Sequence, residues 1–182
     1  MLFSKQMFKT FSAAMAALKT VQAAISAADL AAYPEFAARM TEIATDYNIA
    51  TEWMSYQATT TDTNEYNVTL IRLTRDNTAI SDDNPPVLLL NGIYSTPMDW
   101  FYEFDGVTNK PLAFSIADAG YDVWVGFSRG EDRSASNPSF SSGGIASDNP
   151  DFFNFSYQDV GLYDVKTMVN KIVQERDSAD NC

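Results

Sequence analysis

A short continuous run of apolar residues most constrains the fold of this chain. The run Val87 to Leu90 directly follows a cluster of helix- and strand-breaking residues, Asp82 to Pro86. An apolar run on both faces is typical of a strand in a parallel sheet that helices cover, so we predict a buried central strand here. A helix over Leu112 to Ala119, closed by Gly120, and a strand over Tyr121 to Val125 complete a βαβ unit. The sequence therefore predicts an α/β fold with parallel central strands flanked by helices.

Patterns on the N-terminal side of this unit predict three more elements. Apolar residues at helical spacing predict a short helix from Pro34 to about Asn48. Alternation over Glu65 to Leu73 predicts a half-buried strand, with a partner strand in Glu52 to Thr59. We expect these two strands to form a small antiparallel pair that leads into the parallel strands.

A last helix is predicted near the end of the chain. Ser156 and Asp159 have the spacing of a capping box, and the helix should run to about Arg176. The residues expected on its buried face are Leu162, Val165, Val169, Ile172 and Val173. The segment Glu131 to Asn149, rich in Ser, Asn and Gly, is expected to be a long loop, and the tail 177–182 is polar and without pattern.

Composition excludes several classes of function. The 182 residues suit about one domain, and acidic residues outnumber basic ones 24 to 12 without any Lys/Arg-rich run, so we expect no nucleic-acid partner. Cys182 is the only cysteine, which leaves no internal disulfide and no cysteine cluster for a metal. The chain has no histidine, which removes the commonest general base and the commonest zinc ligand. We expect no metal and no other cofactor.

Residues 1–28 have the composition of a targeting segment. They contain three lysines, no acidic side chain and an apolar stretch, Phe11 to Leu18, that is too short to span a bilayer. We interpret them as a signal peptide cleaved after about Ala23, which predicts a secreted or lysosome-like location. An alanine-rich amphipathic helix and an organellar transit peptide are the alternatives.

Two N-x-S/T sequons, at Asn67 and Asn154, are compatible with the secretory route, whereas Pro138 disqualifies a third at Asn137. Such triplets also arise by chance. We therefore treat Asn67 and Asn154 as candidate glycosylation sites.

Four stretches, in order along the chain, carry a resemblance to a known family. They are Tyr66 to Leu73; Pro86 to Ile93 with Asp99 and Trp100 after it; Leu112 to Gly130; and Phe155 to Asp159 with Tyr163 and Asp164. In these stretches the chain resembles the acid lipases, the family of gastric and lysosomal lipases, from about Met40 to Glu175. The resemblance implies the N-terminal portion of an α/β-hydrolase lipase domain over 34–176. It also implies that full-length members hydrolyse neutral lipid esters, such as triglycerides and steryl esters, by serine acyl transfer.

In that family a His-Gly-Leu segment follows the central strand and supplies a backbone N–H to the oxyanion hole. The corresponding residues here are Asn91, Gly92 and Ile93. The resemblance implies that the Ile93 amide is the donor, with Gly92 allowing close approach of the backbone. Asn91 departs from the family's histidine. A simple glycine turn after a strand is the alternative interpretation.

The pattern Gly-x-Ser-x-Gly at Gly126 to Gly130 is that of a serine nucleophile. A nucleophile elbow, however, needs a helix directly after the serine, and Glu131 to Pro138 is not a helix start. The resemblance likewise equates Ser128, Arg129 and Gly130 with a non-catalytic turn one strand before the family's nucleophile. We therefore predict that Ser128 is structural and that Arg129 braces loops through carboxylate or backbone contacts.

The resemblance implies that the family's nucleophile, acid, histidine and lipid-binding cap all belong to positions after Cys182. Our first hypothesis is therefore an incomplete member of a lipid-ester hydrolase family, whether a fragment, a truncated gene model or a degenerate copy, with no catalytic residue of its own and no activity alone. The second is a small esterase in which a carboxylate activates Ser128, with Asp122, Glu131 and Asp132 as the nearby candidates. The third is a non-enzymatic secreted interaction module that keeps the lipase half-fold and self-associates through an uncovered sheet edge.

Overall fold

A four-stranded mixed sheet forms the centre of the molecule. The computed structural model describes residues 38–42, 51–75, 84–102, 110–131, 134–135 and 150–179. The strands are β1 (Thr51–Thr59), β2 (Asn67–Arg75), β3 (Val87–Leu89) and β4 (Val123–Phe127), in the order β1-β2-β4-β3. β2 pairs antiparallel with both β1 and β4, whereas β3 and β4 are parallel.

Helices connect and cover these strands. A 3-10 helix, Pro97–Phe101, follows β3, and helix α1, Leu112–Asp118, leads into β4. A second 3-10 helix, Pro150–Phe153, precedes the long helix α2. Helix α2 begins with Tyr157–Asp159, passes through a π-helical turn at Val160–Asp164 and continues over Val165–Ala179. None of the helices in these ranges is both long and apolar enough to cross a bilayer.

The predicted βαβ unit is confirmed. β3 and β4 are parallel neighbours in one sheet, with Val87 opposite Val123, and α1 lies between them in the chain. Gly120 has φ of +91° and donates its N–H to the Ala117 carbonyl over 2.9 Å, which is the predicted glycine end of α1. The antiparallel pair β1–β2 is also confirmed, and each of its strands begins or ends within two residues of the predicted bounds.

The prediction that Val87 to Leu90 is a buried central strand was wrong. The strand is half-buried, and among the described strands it lies at the end of the sheet and pairs only with β4. The interior strands are β2 and β4 instead, and all five residues of β4 are buried. An apolar run indicates that both faces of a strand are covered. It does not indicate whether the strand has a paired strand on one side or on both.

Two apolar layers cover the two faces of the sheet. The first, beneath α1 and the 3-10 helix after β3, includes Trp53, Ile71, Phe101, Phe114, Val123, Val125 and Phe127. The second, beneath α2, consists of Val68, Leu70, Trp124, Met168 and Ile172, with partly buried residues around it. Because side chains alternate along β4, Val123 and Val125 lie in the first layer and Trp124 lies in the second.

The capping box that begins α2 is confirmed, but the predicted buried face of this helix was wrong at Leu162, Val169 and Val173. Ser156 accepts from the Asp159 N–H, and the Asp159 carboxylate accepts from the Ser156 N–H. Leu162, Val169 and Val173 are exposed, by 54%, 44% and 51%. Asp164, Met168 and Ile172, spaced four residues apart, are buried instead, and of these Ile172 was predicted. The helix is rotated in this way because Asp164 is anchored to Arg129, as described below.

Several predicted segments lie partly or wholly outside the described residues. Residues 38–42 are helical, as expected within Pro34 to Asn48, and the rest of that helix is not described. Residues 1–28 and most of the predicted loop Glu131 to Asn149 also lie outside the described residues. α2 extends past the predicted end at Arg176 to Ala179, so part of the supposed tail 177–182 is helical.

Candidate functional site

A shallow cavity of about 270 Å³ lies where β3 and β4 end. Its walls are the residues after both strands and the start of α2: Leu90, Asn91, Ser128, Arg129, Glu131, Phe155, Tyr157, Val160, Gly161 and Val165. The carboxyl ends of parallel strands are where open α/β sheets bind ligands, so this cavity is the candidate site.

The loop after β3 forms one side of this site. Asn91 lines the cavity, whereas Gly92 and Ile93 do not. Ile93 is 55% exposed, and within the described part of the chain its N–H has no acceptor. A side chain added at Gly92 would meet only the Ser95 hydroxyl, at an ordinary 3.7 Å. The predicted oxyanion donor thus lies near the end of β3, and its N–H is not used in a hydrogen bond within the described part of the chain.

The turn after β4 forms the other side. Ser128 follows Phe127 directly and is partly exposed, and its carbonyl accepts from the Glu131 N–H over 3.1 Å. Gly130 has φ of +85°, and an added Cβ would meet the Phe155 and Phe153 rings at 3.2 and 3.3 Å, so a glycine is required there. Residues 128–131 therefore form a turn and not the first residues of a helix.

The three carboxylates considered as bases for Ser128 are placed very differently. Asp122 precedes β4, at the opposite end of the strand from Ser128, about 15 Å or more away at the usual rise per residue. It is buried and accepts from Arg72 Nε and a terminal nitrogen of Arg72 over 2.8 and 3.1 Å. Glu131 lines the cavity with Ser128, but its carboxylate accepts from the Asn91 side chain over 3.0 Å. Asp132 lies outside the described residues.

Arg129 makes the densest set of polar contacts near the site. Its Nε and one terminal nitrogen donate to Asp164 Oδ1 over 2.8 and 2.6 Å, and its backbone N–H donates to Asp164 Oδ2 over 2.8 Å. The other terminal nitrogen donates to Asp62 Oδ2 over 2.8 Å. The guanidinium also lies 4.1 Å from the centre of the Tyr66 ring. We call Arg129, Asp62, Asp164 and Tyr66 the arginine clamp.

The clamp joins three parts of the chain. Asp62 lies in the hairpin between β1 and β2, Asp164 lies in the π-helical turn of α2, and the Tyr66 hydroxyl donates to the Phe152 carbonyl over 2.7 Å. Burial disfavours the Arg129 cation, but the hydrogen bonds and charges of Asp164 and Asp62 outweigh it and raise the pKa of Arg129. Burial raises the pKa of Asp164, against the hydrogen bonds from Arg129, which lower it. Both carboxylates of the clamp are thus hydrogen-bonded to one buried cation, which is a structural arrangement.

The first glycine of the Gly-x-Ser-x-Gly pattern has a packing reason of its own. A Cβ added at Gly126 would lie 2.6 Å from Met168 Sδ and 2.8 Å from Leu90 Cδ2. Gly126 thus lets α2 approach the middle of β4. The pattern that would indicate a nucleophile therefore has a structural explanation at both of its glycines.

The two sequons occupy different surroundings. Asn67 is the first residue of β2, and its side-chain oxygen Oδ1 accepts from the Thr59 hydroxyl over 3.0 Å. Thr69, the last residue of this sequon, is completely buried. Asn154 is exposed in the loop before α2, and the Ser156 hydroxyl of its sequon caps that helix.

The sequence carries no signal for the partners of Arg129 or for the contact between Asn91 and Glu131. Asp62 lies 67 residues from Arg129 and Asp164 lies 35 residues from it, so no local pattern connects them. Within the described ranges, no cluster of three or more Cys, Asp or Glu side chains is placed to hold a metal ion.

Comparison with known proteins gives relatives from one family. No family model matches the chain. The chain is 31% identical to mouse lipase member M over 147 residues, which are 80% of this chain and 32% of that protein. It is 29% identical to human gastric triacylglycerol lipase over 142 residues, 78% of this chain and 33% of the relative.

The lysosomal relative matches a shorter stretch. Human lysosomal acid lipase/cholesteryl ester hydrolase is 32% identical over 101 residues, 56% of this chain and 23% of that protein. The chain thus spans about a third or less of the length of each of these relatives. Together with the α/β sheet and the segments that line its carboxyl edge, these matches identify the chain as a partial acid-lipase-like sequence, related to the gastric and lysosomal lipases.

Proposed function

We propose that this chain carries the part of an acid-lipase-type hydrolase that precedes the catalytic serine, and that it hydrolyses no ester by itself. The turn at Ser128 supports the proposal most directly. This serine is followed by a turn instead of a helix, and the described candidate bases are bonded elsewhere or lie at the far end of β4. A serine without an adjacent base is a poor nucleophile.

The substrate class and the location follow from the relatives. Gastric triacylglycerol lipase and lysosomal acid lipase/cholesteryl ester hydrolase are named for neutral lipid esters. We infer that the full-length counterpart of this chain acts on lipid esters by serine acyl transfer, with the Ile93 amide as one oxyanion donor. We also infer a secreted or lysosome-like location, which the composition of residues 1–28 supports.

Turnover of an ester tests this proposal. The purified 182-residue chain and Ser128→Ala are assayed with p-nitrophenyl butyrate and with a triglyceride emulsion, at mildly acidic and at neutral pH. We expect the hydrolysis rate of neither protein to exceed background. One oxyanion donor contributes about 10² to 10³ in rate when a nucleophile and a base are also present, and here it has neither. Activity that survives purification and disappears in Ser128→Ala would support the small-esterase hypothesis instead.

A non-enzymatic interaction module is the second candidate, and an exposed apolar stripe favours it. Leu162, Val169 and Val173 are each about half exposed on α2, and half-buried β3 lies at the end of the described sheet. Exposed apolar residues and an open strand edge each favour association, here with a second copy of the chain. Sedimentation of the chain and of a Val169→Lys/Val173→Glu variant tests this candidate. A dimer that the variant dissociates would support it, and a monomer at all concentrations would exclude it.

A further inference from the structure

The side chain of Asn91 makes the bonds that connect the loop after β3 to its surroundings. Its Nδ2 donates to the Ser95 carbonyl over 2.7 Å and to the Glu131 carboxylate over 3.0 Å, with a longer 3.2 Å contact to the Gly92 carbonyl. An amide NH₂ has two hydrogens, so the two shorter bonds use it fully. Asn91 thus bonds its own loop and the turn after β4 at the same time.

Two more bonds close the loop around Asn91. The Gly92 N–H donates to the Ser95 hydroxyl over 2.9 Å, and the Ser95 N–H donates to the Gly92 carbonyl over 3.2 Å. Gly92 and Ser95 are therefore bonded to each other in both directions. Ile93 and the fully exposed Tyr94 lie between them at the tip of the loop.

Glu131 is well placed to anchor this loop because its own backbone is fixed. Its N–H donates to the Ser128 carbonyl over 3.1 Å, and its carbonyl accepts from the Ser134 N–H over 2.7 Å. Ser134 in turn donates from its hydroxyl to the Phe127 carbonyl at the end of β4 over 2.6 Å. The carboxylate that Asn91 contacts is therefore tied to the buried interior strand β4. A hydrogen bond to an ionised acceptor is also stronger than one between neutral groups.

We propose that Asn91 and Glu131 form a latch that fixes the loop 91–95 against the turn after β4 and so positions the Ile93 N–H. In this account Asn91 and Glu131 are positioning residues, and neither reacts with a substrate. The consequence for catalysis depends on the proposed function, since positioning Ile93 matters only if its amide is an oxyanion donor. The latch itself is a property of the folded loop.

Backbone amide exchange and the Ile93 amide resonance test the latch on the ¹⁵N-labelled 182-residue chain. Asn91→Asp removes both donated bonds and faces the Glu131 carboxylate with a second negative charge. We expect the Gly92 and Ser95 amides to exchange about tenfold faster or more, as for the loss of one to two net hydrogen bonds, and the Ile93 amide resonance to shift. The Val125 amide in β4 should exchange at its original rate, which shows that the change is local.

Three further variants separate the latch from a general structural effect. Glu131→Gln keeps an oxygen acceptor and should leave Gly92 and Ser95 exchange within about twofold, whereas Glu131→Leu should accelerate it by a factor similar to that for Asn91→Asp. Asn170→Asp makes the same chemical change at an exposed position of α2 and should change neither readout.

Two results would overturn the latch. One is unchanged exchange at Gly92 and Ser95 in Asn91→Asp, and the other is equal acceleration at Val125, which would show global destabilisation instead. Neither readout requires turnover, so failure of the latch is distinguishable from failure of the lipase proposal, which the ester assay detects.

Discussion

The two turns that follow the parallel strands are held in opposite ways. After β4, Arg129 is buried and is bonded to two carboxylates from distant parts of the chain. After β3, the loop is exposed, and the side chain of Asn91 connects it to its surroundings. Both turns lie at the carboxyl edge of the same sheet. The difference shows that the turn with the nucleophile-like pattern is held by buried ion pairs, whereas the loop after β3 is held by hydrogen bonds near the surface.

The largest expected effect comes from breaking the arginine clamp. Arg129→Met leaves Asp62 and Asp164 facing each other without a cation, so we expect a loss of about 3 to 5 kcal/mol in the free energy of unfolding, measured with urea. Arg129→Met/Asp164→Asn removes one of the two charges and keeps an acceptor for the backbone N–H of residue 129. This double variant should be more stable than the single one.

Lys171→Met is the matched control for the clamp, because Lys171 forms a partly exposed pair with Glu175 one turn away on α2. This variant should lower the free energy of unfolding by only about 0.5 kcal/mol or less. If Arg129→Met lowers the free energy of unfolding no more than Lys171→Met does, the buried ion pairs do not hold the turn after β4 more firmly than the loop after β3 is held.

A somewhat smaller effect is expected from filling the space at Gly126. Gly126→Ala places a methyl group against the ends of the Met168 and Leu90 side chains, which can shift, so we expect a loss of about 1 kcal/mol in the free energy of unfolding. Gly161→Ala is the control, because nothing lies within 4 Å of a Cβ added there. Thermal unfolding should show a lower midpoint for Gly126→Ala and little change or a gain for Gly161→Ala. Equal midpoints would remove the packing explanation for the first glycine of the motif.

Local signals predicted the elements, whereas their placement depended on distant contacts. The breaker cluster before Val87, the glycine after α1 and the Ser156–Asp159 capping box are each readable within a few residues, and the structure has all the elements that they indicate. The position of β3 at the end of the described sheet depends on which strands pair with it. The rotation of α2 depends on Asp164 reaching Arg129, and neither a π-helical turn nor that ion pair has a local sequence signal.

The candidate site was predictable only where the resemblance supplied it. Asn91, Gly92, Ile93 and Ser128 were identified from segments that match the family's motifs, and they do lie after β3 and β4. Glu131 was considered as a base for Ser128, and its bond to Asn91 was not foreseen because 40 residues separate them. Two loops come into contact because the sheet places the ends of their strands side by side. That placement depends on tertiary structure and not on the local sequence.

The smallest expected effect concerns the pKa of Asp159 at the start of α2. Hydrogen bonds from the Ser156 backbone and hydroxyl lower the pKa of this partly exposed side chain. Because its folded pKa is lowered, its contribution to stability is present above the unfolded pKa of about 3.9 and is lost as pH falls through the folded pKa. In an NMR titration Asp159 should therefore titrate below the usual range, and Ser156→Ala should move its pKa upward. An unchanged pKa in Ser156→Ala would contradict this assignment.

The most direct test of the central claim is covalent labelling by a fluorophosphonate probe, read by intact-protein mass. Such probes react with serines that a neighbouring base activates, and Ser128 has no such base among the described residues. We predict no added mass on the native 182-residue chain, with a catalytically competent serine hydrolase labelled in parallel as the positive control. Stoichiometric labelling that maps to Ser128 and disappears in Ser128→Ala would contradict the account and make this turn an active site.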